Sequence, residues 1–152
     1  MTAKASTRPK KEVYSTSSPF EERIGYYRAV RHGHQIFVSG TTAIDPASPT
    51  HAPQILFPGD ARQQTRVALE ECIKAVQGLG GKGAGDIVRV RMFVAQPEHC
   101  TAVGEAFSEI LGRKSQRDTG IGAAATMLVV RDGFVDERML VEIEVDAVVD
   151  AE

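Results

Sequence analysis

The amino-acid sequence predicts a protein of the α+β class, in which two helices pack on one face of a mixed sheet. The hydrophobic pattern along the 152 residues gives the element order β-β-α-β-α-β-β, with no internal repeat. A chain of this length buries one hydrophobic core and does not divide comfortably into two domains. Because two helices can cover only one face of a sheet with four or more strands, the other face must be solvated or covered by another subunit.

The chain is predicted to begin with an arm and a hairpin. Residues 1–19 are rich in Ser, Thr, Lys and Pro, which indicates a flexible arm ahead of a single domain at residues 20–152. The runs "IGYYRAV" (24–30) and "QIFVSGTT" (35–42) are β-prone and are joined by "RHGH", so they predict a hairpin. The Pro, Ser and Asp content of residues 43–60 then indicates a long surface loop.

Two amphipathic helices follow, with a strand between them. Asp60 is placed to cap the first helix, and Gly80 is placed to end it. Its apolar stripe repeats at spacings of three and four and comprises Thr65, Leu69, Cys72, Ile73, Val76 and Leu79. The second helix is predicted over residues 98–111 and ends before Gly112. Its apolar face comprises Cys100, Val103, Phe107, Ile110 and Leu111.

Three further segments are predicted as strands. Residues 86–96 alternate between a face of Val88, Val90, Met92 and Val94 and a face of Arg89, Arg91 and Phe93. In "GAAATMLVV" (122–130), residues 126–130 are predicted as a buried strand, preceded by three alanines that have little to pack. Residues 139–149 alternate clearly and predict the last strand.

Composition and motifs disfavour several functional classes. The net charge of −2 and pI of about 6.1 give no electrostatic footprint for nucleic acid. No apolar run approaches the roughly 20 residues of a membrane helix, and no secretory signal is present, so we expect a cytoplasmic protein with Cys72 and Cys100 as free thiols. The four histidines are spread over three segments, and only His32 and His34 of the H-G-H connector could present two imidazoles together, which disfavours a metal site that needs three or four ligands. Walker, G-x-S-x-G, HExxH and CxxC motifs are all missing.

The polar residues of the open sheet face are the candidates for chemistry. Glu142 and Glu144 lie on one face of the last strand, and Arg89 and Arg91 have the same two-residue spacing on another. These four side chains fit either a buried ionic cluster in an oligomer or an anion-binding pocket with a proton-handling carboxylate. Ser39 ends a strand beside a glycine, where its hydroxyl can bond to the backbone or to a ligand.

Several short motifs, in order and in register over roughly residues 20–150, resemble the Rid family of reactive intermediate deaminases, also called YjgF. They are "IGYYRAV", "GHQIFVSGTTAIDP", "QTRVALEECIKAVQGLGG", "DIVRVRMFV", "VGEAFSEILG" and "LVEIEVDAVV". The resemblance implies a chorismate-mutase-like subunit that forms a homotrimer with small-molecule pockets at the subunit interfaces. Active members hydrolyse imines and enamines, such as 2-aminoacrylate, to a 2-oxo acid and ammonia without a cofactor or metal.

The resemblance also implies roles for individual residues. In active members an arginine on the penultimate strand binds the substrate carboxylate bidentately, and a glutamate on the last strand positions or activates water. The glutamate corresponds to Glu142, while Tyr26 and Ser39 match the tyrosine of the first strand and the serine of the "SG" motif. The run P-A-R-S/T falls on residues 123–126, so Ala125 stands at the arginine position.

Because Ala125 replaces the arginine, we expect ordinary 2-imino acid deamination to be weak or absent unless another cation reaches the pocket. Loss of a bidentate contact to a buried anion costs on the order of 2 to 5 kcal/mol, or about thirtyfold to several thousandfold. Gly104 likewise stands where an asparagine is frequent. Our hypothesis is an enlarged pocket, lined also by Thr126, whose positive charge has moved to Arg91, or failing that to Arg89.

The functional alternatives differ in what the pocket does. An enzyme would use Glu142 to hydrolyse an imine, an enamine or a related small molecule, whereas a binding module would hold a small carboxylate or imine without turnover. A third class, ribonuclease or translation-inhibitor action, carries labels within the family but is disfavoured by the acidic pI. A membrane or nucleic-acid partner is not expected.

Overall fold

The computed structural model describes residues 10–113 and 120–150. Its strands and helices, in chain order, are β1 (Lys11–Tyr14), α1 (Pro19–Ile24), β2 (Ala29–His32), β3 (Gln35–Thr41), α2 (Ala61–Gly78), β4 (Ile87–Val94), α3 (Cys100–Leu111), β5 (Ala124–Val129) and β6 (Val141–Val148). Short 3-10 turns precede β4 and α3. The predicted α+β class and element order are confirmed, with β1 and α1 added at the beginning.

The described strands form one mixed sheet in the order β1-β2-β3-β6-β4-β5. Neighbouring strands are antiparallel except for β4 and β5, which are parallel and are connected through α3. Helix α2 packs against α3 and across β3 and β6, so the hydrophobic core lies between the helices and one sheet face. On the opposite face Phe37 and Leu128 remain exposed, as predicted for a sheet covered on one side.

The N-terminal prediction was wrong for part of the arm. Residues 11–14 pair with β2 as an edge strand, from Lys11 opposite His32 to Tyr14 opposite Ala29. Pro19 begins α1, and Gly25 ends it with a φ of 91°, which glycine adopts at little cost. The first strand of the hairpin therefore begins five residues later than predicted, while residues 1–9 lie outside the described chain.

The helix predictions are confirmed to within a few residues. The Asp60 carboxylate accepts a hydrogen bond from the Gln63 backbone N–H at 3.0 Å, which caps α2 as expected. Leu69, Cys72 and Val76 are fully buried along its apolar stripe. These contacts hold α2 against β6 and leave the opposite face of that strand available for a site.

Two strand predictions need correction. A bulge between Ile87 and Arg89 makes Val88 the extra residue of β4, so Ile87 enters the core and Val88 is exposed. Strand β5 is not buried: it is the edge of the sheet and most of its side chains are exposed. An edge strand lacks one neighbour, and the sequence pattern cannot show which strand takes that place.

Candidate functional site

A cleft of about 750 Å³ brings together three of the residues predicted for the site, Tyr26, Ser39 and Glu142. It lies beside the open sheet face, between the residues preceding β2, the end of β3 and the beginning of β6. Loops from before α1, after β3 and before β6 close it. The other lining residues used below are Phe20, Ile24, Arg28, Gly40, Thr41, Ile44, Asp45, Glu71, Phe134, Val135 and Met139.

Glu142 lies on β6 with its side chain directed along the backbone of Gly40. A Cβ built on Gly40 would collide with the Glu142 Oε1 atom, so a larger residue at position 40 would force the carboxylate to move. Burial raises the pKa of Glu142, nearby Arg28 opposes that rise, and Glu144 adds to it. A partly desolvated carboxylate in a cleft is suited to exchange a proton with water or substrate.

Arg28 is the cleft residue that the sequence did not single out. It is 6% exposed, and its Nε donates to Glu21 Oε2 at 3.3 Å. Its Nη1 donates to the Gly40 carbonyl at 2.7 Å and to Thr41 Oγ1 at 3.0 Å. The only available sequence signal was an arginine within the apolar run "YYRAV", and the partner Glu21 lies on a helix that was not predicted.

Tyr26 and Ser39 are anchored beside Arg28 and line the same cleft. The Tyr26 hydroxyl accepts from Arg28 Nη2 at 3.4 Å, and the guanidinium carbon lies 5.6 Å from the Tyr26 ring centre. Ser39 Oγ donates to the Tyr27 carbonyl at 2.7 Å, which is the backbone role that the sequence left open. This bond engages the single proton of the serine hydroxyl and leaves the oxygen as an acceptor.

Arg91 does not lie where the hypothesis of a relocated positive charge placed it. Its Nη1 lies 3.3 Å from both Glu144 and Asp146, so it belongs to an ionic cluster on the open sheet face. It is absent from the cleft lining, as is Arg89, which is exposed beside Asp146 in the register of β4 and β6. Arg91 thus belongs to a partly exposed ionic cluster within one subunit, and neither arginine supplies a cation to the cleft of its own subunit. A buried cluster of Arg89, Arg91, Glu142 and Glu144 in an oligomer stays a prediction.

The positions matching the family's arginine segment lie on the edge strand. Ala125 is exposed opposite Val90, and Thr126 is exposed opposite Arg91. Gly104, on α3, would bring a Cβ only into ordinary contact with Met127, 3.9 Å from its Cε. None of these residues lines the cleft with Glu142 in a single subunit.

The remaining sulfur and metal predictions concern groups outside the cleft. Both cysteines are unpaired, and burial raises the pKa of Cys72 to about 12, which keeps its thiol protonated. Across residues 10–113 and 120–150, no three His, Cys, Asp or Glu side chains lie close enough together to hold a metal ion. No helix in these ranges is long and apolar enough to cross a bilayer.

The raised pKa of Glu142 predicts a stability difference that depends on pH. The ordinary pKa of a glutamate side chain is 4.5. Above that pH the folded protein therefore holds the proton of the Glu142 carboxyl more tightly than the unfolded chain does. The free energy of unfolding therefore falls as pH rises from about 4.5 through the raised pKa. We expect Glu142→Gln to be more stable than wild type at pH 7, and the difference in the free energy of unfolding to disappear near pH 4. Urea titrations at pH 7 and pH 4 measure this difference.

The matched control is Glu144→Gln on the same strand face. Glu144 accepts from Arg91, so its replacement removes an ion pair rather than an unfavourably buried charge. This variant should gain no stability at pH 7. The same difference in the free energy of unfolding between wild type and Glu142→Gln at pH 7 and at pH 4 would contradict the raised pKa of Glu142.

Comparisons with known proteins agree with the fold. A family model described as Endoribonuclease L-PSP matches residues 16–149. The chain is 33% identical over 132 residues to an uncharacterized protein of Streptomyces coelicolor, covering 87% of both chains. It is 28% identical over 102 residues to a RutC family protein of Pyrococcus horikoshii, covering 67% of this chain and 76% of that protein. A crystal structure of a YjgF/YER057c/UK114 family member from Mycobacterium tuberculosis superposes with a TM-score of 0.72 at 31% identity, covering 92% of this chain and 100% of that one.

Proposed function

This chain belongs to the Endoribonuclease L-PSP family, also known as the YjgF or Rid family, and from that membership we propose that it hydrolyses an imine or enamine in the cleft beside Glu142. The observation that carries the proposal is the Glu142 carboxylate, held over Gly40 in a cleft that raises its pKa. Tyr26 and Ser39, which the sequence also placed in the site, line the same cleft.

The proposed reaction needs one water and no cofactor. The ionised carboxylate of Glu142 accepts a proton from water as the water oxygen attacks the carbon of the C=N bond, and passes that proton to the nitrogen, which gives a neutral carbinolamine. Glu142 then accepts the proton of the carbinolamine hydroxyl and delivers it to the nitrogen as the C–N bond breaks, so an imine and water become a carbonyl compound and ammonia or an amine. General acid–base help of this kind contributes typically 10² to 10⁴ in rate.

Assembly is part of the proposal. Members of the family are typically small-molecule-binding homotrimers, and we propose the same assembly here. Ala125 and Thr126 lie on the exposed edge strand, away from the cleft containing Glu142. A neighbouring copy that places its β5 over this cleft would bring the two groups of residues together and exclude bulk water. The exposed Leu128 on the same strand suits a subunit contact.

The test is carbonyl and ammonia release by the purified protein, with the uncatalysed reaction subtracted. The substrates are 1-phenylpropan-2-imine, which carries no carboxylate, and 2-aminoacrylate, both generated in situ. Wild type should accelerate hydrolysis of the first substrate, and Glu142→Gln should lower kcat about 100-fold. Glu144→Gln, on the same face but outside the cleft, should retain the wild-type rate. No acceleration by wild type on either substrate would refute the proposed catalysis.

A non-catalytic ligand-binding module is the second candidate, and Ala125 is the observation that favours it. Loss of the substrate-orienting arginine leaves a cleft that can bind without aligning the reacting atoms. Ligand binding in an isothermal titration, together with no carbonyl or ammonia release in that assay, would select this candidate. Action on RNA is less favoured, because the described part of the cleft lining holds three acidic side chains and one arginine, and the excess negative charge would repel phosphate.

A further inference from the structure

We infer that the ligand of this cleft carries no carboxylate and is instead a neutral or cationic nitrogen compound with an apolar body. The inference rests on the proposed function and names the class of imine that it uses. The inference starts from the charges of the described residues that line the cleft, which are Asp45, Glu71, Glu142 and, as the one cation among them, Arg28. Lys74 pairs with Glu71 at 2.9 Å and partly offsets that charge, but Lys74 does not line the cleft.

Arg28 is not available to bind a carboxylate. Glu21, which is 4% exposed, neutralises it through the Nε contact, and Glu21 is itself held by the backbone N–H and the hydroxyl of Thr16. The guanidinium also donates to Gly40, Thr41 and Tyr26. A bidentate clamp on a ligand would have to break several of these bonds inside a buried cluster, which is costly.

Among residues 10–113 and 120–150, Arg28 is the only cation that lines the cleft, and Arg23 lies over the ring of the lining residue Phe20 without itself lining it. Arg91 is committed to Glu144 and Asp146, and a neighbouring copy that offered its Ala125 would add only a methyl group. An anion entering the cleft of one subunit would therefore meet the field of Glu142 and Asp45 without a free cation among the described lining residues. A cation would be attracted by the same field.

The remaining lining is apolar and suits the body of such a ligand. Phe20, Ile24, Ile44, Phe134, Val135 and Met139 surround the polar end of the cleft. In a single subunit the cleft has a volume of about 750 Å³, which lies in the range of sites for drug-sized molecules. The ring of Phe134 in the lining also favours a cationic nitrogen over an anion, whereas Phe20 already lies under Arg23.

The chemistry is consistent with this charge preference. A protonated imine is the electrophilic form of the C=N bond, and the ionised Glu142 attracts it while accepting a proton from water. In balance, an iminium ion and water give a ketone or aldehyde and an ammonium ion. The substrate carboxylate of 2-imino acids has no role in these steps.

The test is isothermal titration of the full chain with two ligands of similar size and opposite charge, 2-phenylethylammonium and 3-phenylpropanoate, at low ionic strength. The ammonium ligand should bind at least tenfold more tightly. Glu142→Gln should reduce that preference severalfold, whereas Glu144→Gln should leave it near the wild-type value.

Equal or tighter binding of 3-phenylpropanoate, or failure of both ligands to bind, would overturn the inference. The outcome is separable from that of the proposed catalysis. A preference for the ammonium ligand in a protein that accelerates no imine hydrolysis would remove the enzyme proposal and leave the ligand class standing.

Discussion

Replacing Arg28 with methionine is expected to lower the free energy of unfolding by about 3 to 5 kcal/mol, because it leaves Glu21 buried without its charged partner. Both side chains are at least 93% buried, at 7% and 5% relative exposure, so water cannot replace the lost contact. The Gly40 carbonyl and the Thr41 hydroxyl lose a donor at the same time. Urea titration at neutral pH measures the difference.

Two further variants separate loss of the buried pair from loss of an arginine. Arg91→Met removes a partly exposed cation from Glu144 and Asp146 and should cost less than about 1 kcal/mol. The double variant Arg28→Met with Glu21→Leu removes both buried charges and should recover part of the loss. If Arg28→Met and Arg91→Met lowered the free energy of unfolding equally, the buried Glu21–Arg28 pair would contribute no more to stability than the partly exposed contacts of Arg91.

Replacing Ala125 with arginine is expected to raise kcat/KM for 2-aminoacrylate by thirtyfold or more. The resemblance to Rid proteins places a carboxylate-binding arginine at this position, and restoring a bidentate contact contributes about 2 to 5 kcal/mol. Ala125 is exposed on the edge strand, so the longer side chain displaces no core residue. The rate is measured as ammonia release, with 1-phenylpropan-2-imine as the comparison substrate.

The adjacent Ala124→Arg variant is the matched control. Ala124 pairs with Arg89 while Ala125 pairs with Val90, so the two side chains project from opposite faces of β5. Only Ala125→Arg should favour the carboxylate substrate over the carboxylate-free one. The same gain from both variants would mean a nonspecific effect of added positive charge, and no gain from Ala125→Arg would mean that β5 does not approach a cleft.

The predictable part of the site follows from local patterns. Strand alternation placed Glu142 on the open face of β6, and short motifs placed Tyr26 and Ser39 near the beginning of the domain. The missed part depends on contacts between distant elements. Arg28 became a buried residue because α1 carries Glu21 against it, and α1 lay largely outside any predicted helix or strand.

Arg91 is a second residue whose partners could not be predicted from the sequence. Its alternation correctly placed it on the open face, but alternation cannot tell which neighbouring strand supplies its partners. Pairing of β4 with β6 puts Glu144 and Asp146 beside it, so its charge is used within the sheet. The charge relocation proposed from sequence therefore finds no support in the single subunit.

The sequence by itself determined the helices, most of the strands, the cap at Asp60 and the position of Glu142, because periodicity and capping act between residues that are close along the chain. Only the tertiary structure decided that β5 is an edge, that Val88 is the extra residue of a bulge, and that Arg28 is buried against Glu21. Each of these depends on which distant segments pack together, and packing sets the burial and pairing that decide what a charged side chain can bind.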